Sequence, residues 1–294
     1  MLEGVDADEF RARKGNCTVM PETGTTAFVL GGGGILGAAE VGMLKSLVER
    51  GIRPDLVVGS SVGALNGAFV SADPSVSTVA QMIDAWCGLS GRGVFNGSFV
   101  GQVGNLLRHG TYLHSNERLR ALLEDNLGDI AFEDLAVPFQ CVAACIETAS
   151  PRWFSTGPLA PAVLASCAVP GLLPAVEIDG EHFLDGGLVR SVPIGRAVRM
   201  GATRVFVLQV GRLERPLEAP RRPWEVALVS FEIARRHHFH EEVANLDEGF
   251  ELHVLPSGSG AAAVSWRYRD SSSVPARIEA AYDASCRYLD RVTV

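Results

Sequence analysis

Residues 55–72 read DLVVGSSVGALNGAFVSA. A short apolar run ends in Gly59-Ser60-Ser61-Val62-Gly63, and a helical pattern of small and apolar residues follows at once. This is G-x-S-x-G in its strand–turn–helix setting, where flanking glycines let a serine sit in a strained turn with its hydroxyl projecting. The helix start beyond it adds unpaired N–H groups and the positive end of a helix dipole. The stretch predicts an α/β chain whose chemistry is centred on Ser61, with Gly59 and Gly63 supporting the turn.

Upstream, VLGGGGILGAAEVGML (residues 29–44) places four glycines between an apolar strand and a helix. Gly32, Gly34 and Gly37 satisfy G-x-G-x-x-G, but a dinucleotide site also wants an acid at the end of the next strand. Here Asp55 stands at that strand's start and glycine and serine at its end. A phosphate loop needs Gly-Lys-Ser/Thr, whereas Ala38 follows Gly37. In a parallel sheet both glycine turns open at the same carboxyl edge, where ligands bind. The amides of Gly32, Gly33 and Gly34 are therefore read as an oxyanion hole for an ester carbonyl attacked by Ser61, with no cofactor required.

The rest of the chain repeats this layering. Strands are predicted at 26–31, 55–59, 138–146, 204–210 and 251–255, and helices at 37–50, 62–72, 116–127, 158–168, 193–200, 224–246 and 274–291, with a further helix opened by Asp73 and Pro74. VEIDGEHFLDGG (176–187) reads as a hairpin turning on Asp179-Gly180. Alternating strands and helices imply a mainly parallel sheet covered on both faces. Residues 1–24 read as a flexible leader and 25–294 as a single domain. The glycine-rich stretch 91–116 reads as a mobile cover, with 92–114 lining an acyl-chain channel or its lid.

The 294 residues include 26 Lys+Arg against 34 Asp+Glu, a net charge of -8. That balance offers no basic stripe for a nucleic-acid partner and no electrostatic docking on anionic bilayers, so peripheral membrane contact would fall to apolar surface. Cysteines 17, 87, 141, 145, 167 and 286 form no C-x-x-C pair, and MLEGVDADEFRARKGNC has acids where a signal peptide needs a basic then apolar run. The expectation is a reducing, cytoplasmic setting. Cys141 and Cys145, four strand rises or roughly 13 Å apart, are too distant for a disulfide and read as core. Residues 26–44 carry Glu40 as their single charge, and the glycine run and that acid favour a buried strand and packed helix over a membrane span.

Ser61 needs a base. Of the histidines, His182 and His253 are the two whose positions suit a Ser-His-Asp hydrolase. His237 and His240 share a face of the segment ARRHHFHEE, which reads as a solvated helix face rather than a metal site. The stronger candidate is Asp185, which ends a strand and is followed by Gly186 and Gly187.

GGGGILGAAEVGML, GSSVGALNGA, ASCAVPGLLP (165–174) and DGG (185–187), in this order, resemble the patatin-like phospholipases. The resemblance implies a three-layer α/β/α fold and a Ser-Asp dyad without histidine or metal. It makes Ser61 the nucleophile, Asp185 the general base and Gly32 to Gly34 the oxyanion hole of a serine esterase acting on acyl lipids. Ser166 and Pro170 fall in the third block and read as packing beside the site. Family members commonly carry Arg or Lys where this chain has Leu36, which removes a charge suited to an anionic headgroup. A catalytically weak lipid-binding or regulatory protein on the same scaffold is the alternative outside enzymology.

Overall fold

A computed structural model of the chain describes residues 24–92, 112, 114–210, 217–244, 246, 249–258 and 274–292. The predicted leader, apart from Gly24, and the predicted cover over 93–111 lie outside the described residues.

Strands β1 (Thr26–Leu30) and β2 (Leu56–Ser60) are buried along their whole length, as unalternating apolar runs in a doubly covered sheet must be. Phe28 and Leu30 of β1 enter one apolar cluster and Ala27 and Val29 the other, so the clusters are the two faces of the sheet. The first face is covered by α1 (Ala38–Glu49), α2 (Val62–Ala72), α3 (Val76–Arg92), α4 (Glu117–Leu127), α5 (Leu159–Ser166) and α8 (Val274–Leu289). Residues of α6 (Ile194–Arg199) and α7 (Pro223–Ala244) pack on the second. The result is the three-layer α/β/α arrangement expected from the sequence.

The hydrogen-bonded path through the sheet runs β5 (Val176–Ile178), β6 (Glu181–Asp185), β3 (Phe139–Cys145), β2, β1, β7 (Arg204–Leu208), β8 (Glu251–Leu255), and β4 (Ser150–Phe154) also pairs with β3. The core β3-β2-β1-β7-β8 is parallel. Strands β4, β5 and β6 pair antiparallel. β6 reverses because it arrives through a tight hairpin rather than a helical crossover: Asp179 and Gly180 have φ of 53° and 80°, the two positive angles a type I′ turn requires. β4 was not expected from the sequence.

One detail of this pairing positions the site. Val142 pairs with Trp153 of β4 and Ser60 of β2, whereas Ala143 pairs with Arg152 of β4 and Asp185 of β6. A strand has two edges, so β2 and β6 occupy the same edge of β3, opposite β4. β2 runs parallel to β3 and β6 antiparallel, so their C-terminal ends meet head-on at adjacent rungs. Ser61 follows the end of one, and Asp185 is the end of the other.

Candidate active site

Ser61 leaves β2 with φ 57° and ψ -130° and forms the N-cap of α2. A non-glycine residue in such a region costs on the order of 1–3 kcal/mol and persists only where its surroundings over-determine it. Here the Ser61 N–H donates to Ser166 Oγ at 3.0 Å, Ser166 Oγ donates to the Val142 carbonyl at 2.7 Å, and the Cys167 thiol donates to the Ser61 carbonyl at 3.0 Å. The block ASC (165–167) thus pins both backbone groups of the strained residue. Sequence reasoning took Ser166 for packing, although its place in a motif beside the serine was the available signal. Gly59 and Gly63 allow the close approach of α2: a Cβ on Gly59 would lie 2.5 Å from the Gly63 carbonyl oxygen, and one on Gly63 would strike the backbone of Leu30.

Asp185 is fully buried. Its Oδ2 accepts the Ser61 hydroxyl at 2.6 Å, its Oδ1 accepts the Gly187 N–H at 2.8 Å, and its own N–H donates to the Ala168 carbonyl at 2.9 Å. Burial pushes its carboxyl up from 3.8 to about 7, against the pull of the Ser61 and Gly187 hydrogen bonds and the Arg235 charge. Desolvation disfavours the charged carboxylate, so the group becomes a stronger base than an exposed aspartate. Gly186 and Gly187 begin a 3-10 turn (Gly186–Leu188), and a Cβ on Gly186 would run into the Val142 carbonyl on β3.

The glycine run lies beside the serine, but its three amides are not equivalent. The Gly32 N–H donates to the Ser191 carbonyl at 3.0 Å. Gly32, whose N–H the sequence reading assigns to an oxyanion, thus has that N–H held by the loop before α6 in this structure. Its bare Cα is what counts, since a Cβ there would come within 3.2 Å of Ser61 Cβ. The N–H groups of Gly33 and Gly34 have no backbone acceptor among the described residues. Gly34, with φ 55°, starts the 3-10 turn Gly34–Gly37 that runs into α1, and a Cβ on Gly37 would collide with Val62 at the start of α2. Leu36 in that turn packs against the apolar core.

A buried polar network fastens this turn to the serine helix. Asn66 Nδ2 donates to Glu40 Oε2 at 2.7 Å and to the Gly37 carbonyl at 3.0 Å, and Trp86 Nε1 donates to Asn66 Oδ1 at 3.1 Å. Glu40 is fully buried, and desolvation lifts its carboxyl well above the ordinary range, against the pull of the Asn66 hydrogen bond.

The histidine candidates are placed elsewhere. His182 is half exposed on β6, where Nδ1 lies 2.7 Å from Glu147 Oε1. His253 is buried in β8, stacked on Phe206, with Nδ1 3.1 Å from the Tyr288 hydroxyl and Nε2 2.9 Å from Glu251 Oε1. Neither is a partner of Ser61. His237 and His238 pair with Glu241 on α7. Among the described residues no group of three His, Cys, Asp or Glu side chains has the arrangement of a metal site, and no helix is long and apolar enough to cross a membrane.

The model of the patatin-like phospholipase family matches residues 28–198, more than half of the chain. Neuropathy target esterase sws of Drosophila melanogaster is 32% identical over 185 residues, which cover 62% of this chain and 13% of that protein. Lysophospholipase nte1 of Aspergillus terreus is 30% identical over 198 residues, covering 65% of this chain and 12% of the relative. The chain thus spans only about an eighth of the length of these relatives. The crystal structure of VipD from Legionella pneumophila aligns with 92% of this chain and 67% of its own, at 14% identity and a TM-score of 0.47.

Proposed function

Because the chain belongs to the patatin-like phospholipase family, we propose that it is a serine lipid acyl hydrolase that cleaves carboxylic ester bonds of phospholipid or other acyl lipids through Ser61 and Asp185. The observation that carries this reading is the 2.6 Å hydrogen bond between Ser61 Oγ and Asp185 Oδ2 in a buried, strained strand-end turn. The lysophospholipase activity named for one relative is in keeping with it.

In the proposed reaction Asp185 takes the Ser61 proton as Oγ attacks the ester carbonyl carbon. The carbonyl oxygen becomes negative and is held by the Gly33 and Gly34 amides. As the tetrahedral intermediate collapses, the carbon–oxygen bond to the alcohol breaks and Asp185 returns the proton to the leaving alkoxide. Water then attacks the acyl-enzyme with Asp185 again as base, Ser61 recovers its proton, and a fatty acid leaves. An aspartate at its ordinary pKa is a poor base for a serine hydroxyl. A carboxyl raised to about 7 and aligned at hydrogen-bond distance reduces that mismatch.

The test is fluorophosphonate labelling together with p-nitrophenyl ester turnover in the wild type, Ser61→Ala and Asp185→Asn, each checked for folding by circular dichroism. The reading requires Ser61 as the labelled residue and at least a thousandfold lower kcat in both variants, in the range seen when a nucleophile or its partner is removed. Full turnover in Asp185→Asn would place the base elsewhere.

A further inference from the structure

Helix α7 lies outside the residues that match the family, yet one of its faces lies against the site. Ala227 Cβ lies 3.4 Å from where a Cβ on Gly171 would be, and the Phe231 ring stands 2.9 Å from the equivalent point on Gly187, which is itself 3.1 Å from Asp185 Oδ1. Ala227, Phe231 and Arg235 are spaced i, i+4, i+8 and share that face. Arg235 therefore follows one turn beyond the ring that touches the Asp185 turn.

Arg235 is an unusual side chain for a helix surface, since only 3% of the residue is exposed. Its Nε donates to Glu232 Oε1 at 3.1 Å and its Nη2 to Glu232 Oε2 at 2.8 Å. Its Nη1, equally buried, has no hydrogen-bond partner. Glu232 is shared with Arg236, whose Nε lies 3.8 Å from Oε2. Arg235 is close enough to the dyad to be among the groups that hold down the Asp185 pKa, while Glu232 works against it. A buried donor with no acceptor is destabilising, a penalty that a ligand anion would remove.

We propose that Arg235 binds the phosphate of the substrate's leaving group through Nη1, making the site selective for esters whose alcohol carries an anionic phosphate. The inference rests on the hydrolase reading above. Asp185 must hand its proton to the leaving alkoxide, so the alcohol portion departs on the Asp185 side of Ser61. The acyl carbonyl occupies the opposite side, at Gly33 and Gly34. α7 covers the Asp185 side, and in a glycerophospholipid the phosphate is only a few bonds from the leaving oxygen. Leu36 leaves the glycine loop without a charge, and α7 brings a buried cation, Arg235, to the Asp185 side of the site.

The experiment compares kcat/KM for 1-palmitoyl-lysophosphatidylcholine and for uncharged 1-palmitoylglycerol in the wild type, Arg235→Gln and Arg235→Lys. Taking the ratio of the two substrates cancels any general effect of the lost charge on Asp185. Arg235→Gln should lower the phosphate-to-neutral ratio about ten- to a hundredfold, the range of one hydrogen bond to a charged group, and Arg235→Lys should restore part of it. An unchanged ratio overturns the proposal, whether or not both rates fall. A second arm measures binding by calorimetry in Ser61→Ala with and without Arg235→Gln, so that it does not depend on turnover. Weaker binding of the lysophospholipid with unaltered binding of the neutral lipid supports Arg235 even if the hydrolase reading fails. Inorganic phosphate binding as tightly as the lysophospholipid would overturn the headgroup assignment in favour of a free-phosphate site.

Discussion

Asp185 links stability and activity with opposite signs. Its pKa in the folded chain, about 7, stands above its ordinary 3.8, so between these values the folded state holds a proton that the unfolded state has lost. Stability is then greatest below about pH 4 and falls as pH rises through about 7. Asp185→Asn should therefore be more stable than the wild type at pH 8, by up to about 4 kcal/mol at 1.36 kcal/mol per unit, and the difference should vanish near pH 4. Urea titrations at the two pH values check this. Activity runs the other way, since the base works only when ionised. The acid limb of kcat/KM should bend near pH 7 rather than near pH 4. Ser166→Ala removes the acceptor of the Ser61 N–H and the donor to Val142. It should cost about 1–3 kcal/mol by the same urea assay and lower kcat with little change in KM, because the elbow would relax.

At the scale of elements, Glu40, Asn66 and Trp86 tie α1, α2 and α3 together under the glycine turn. Glu40→Ala should destabilise by about 2–4 kcal/mol through lost bonds and a cavity, whereas Glu40→Gln, which keeps the shape and an oxygen to accept from Asn66, should stay within about 1 kcal/mol of the wild type. The elements themselves were largely legible. Apolar runs bounded by glycine gave β1 and β2, Asp179-Gly180 gave the hairpin, and helix ends were read to within about three residues. β4 was missed because Ser-Pro-Arg at 150–152 interrupts any alternation, and proline is tolerated there only because β4 lies off the main path of the sheet. Arg235 was hidden for a similar reason. ARRHH reads as solvated, and this holds for His237, two-thirds exposed, but fails for Arg235, since charge type alone does not say which way a helix is rotated. The pairing of Ser191 with Gly32 and the head-on meeting of β2 and β6 are long-range events without a local signal.

For the molecule as a whole, the family match ends at residue 198, but the packing does not. β7 fills the edge of β1 opposite β2, and α8 packs so closely on α1 that a Cβ on Gly42 would strike the Ile278 backbone. A chain ending at residue 198 would expose the edge of β1 and the α1 face, and should show no cooperative melting transition by circular dichroism.

The Ser61–Asp185 hydrogen bond joins residues 124 positions apart. A ribosome adding about 5–20 residues per second needs roughly 6–25 s to cover that distance. Throughout that interval the serine has emerged and its carboxylate has not. Under the proposed mechanism synthesis itself sets the timing: the nascent chain stays inert toward nearby lipid until β6 docks against β3.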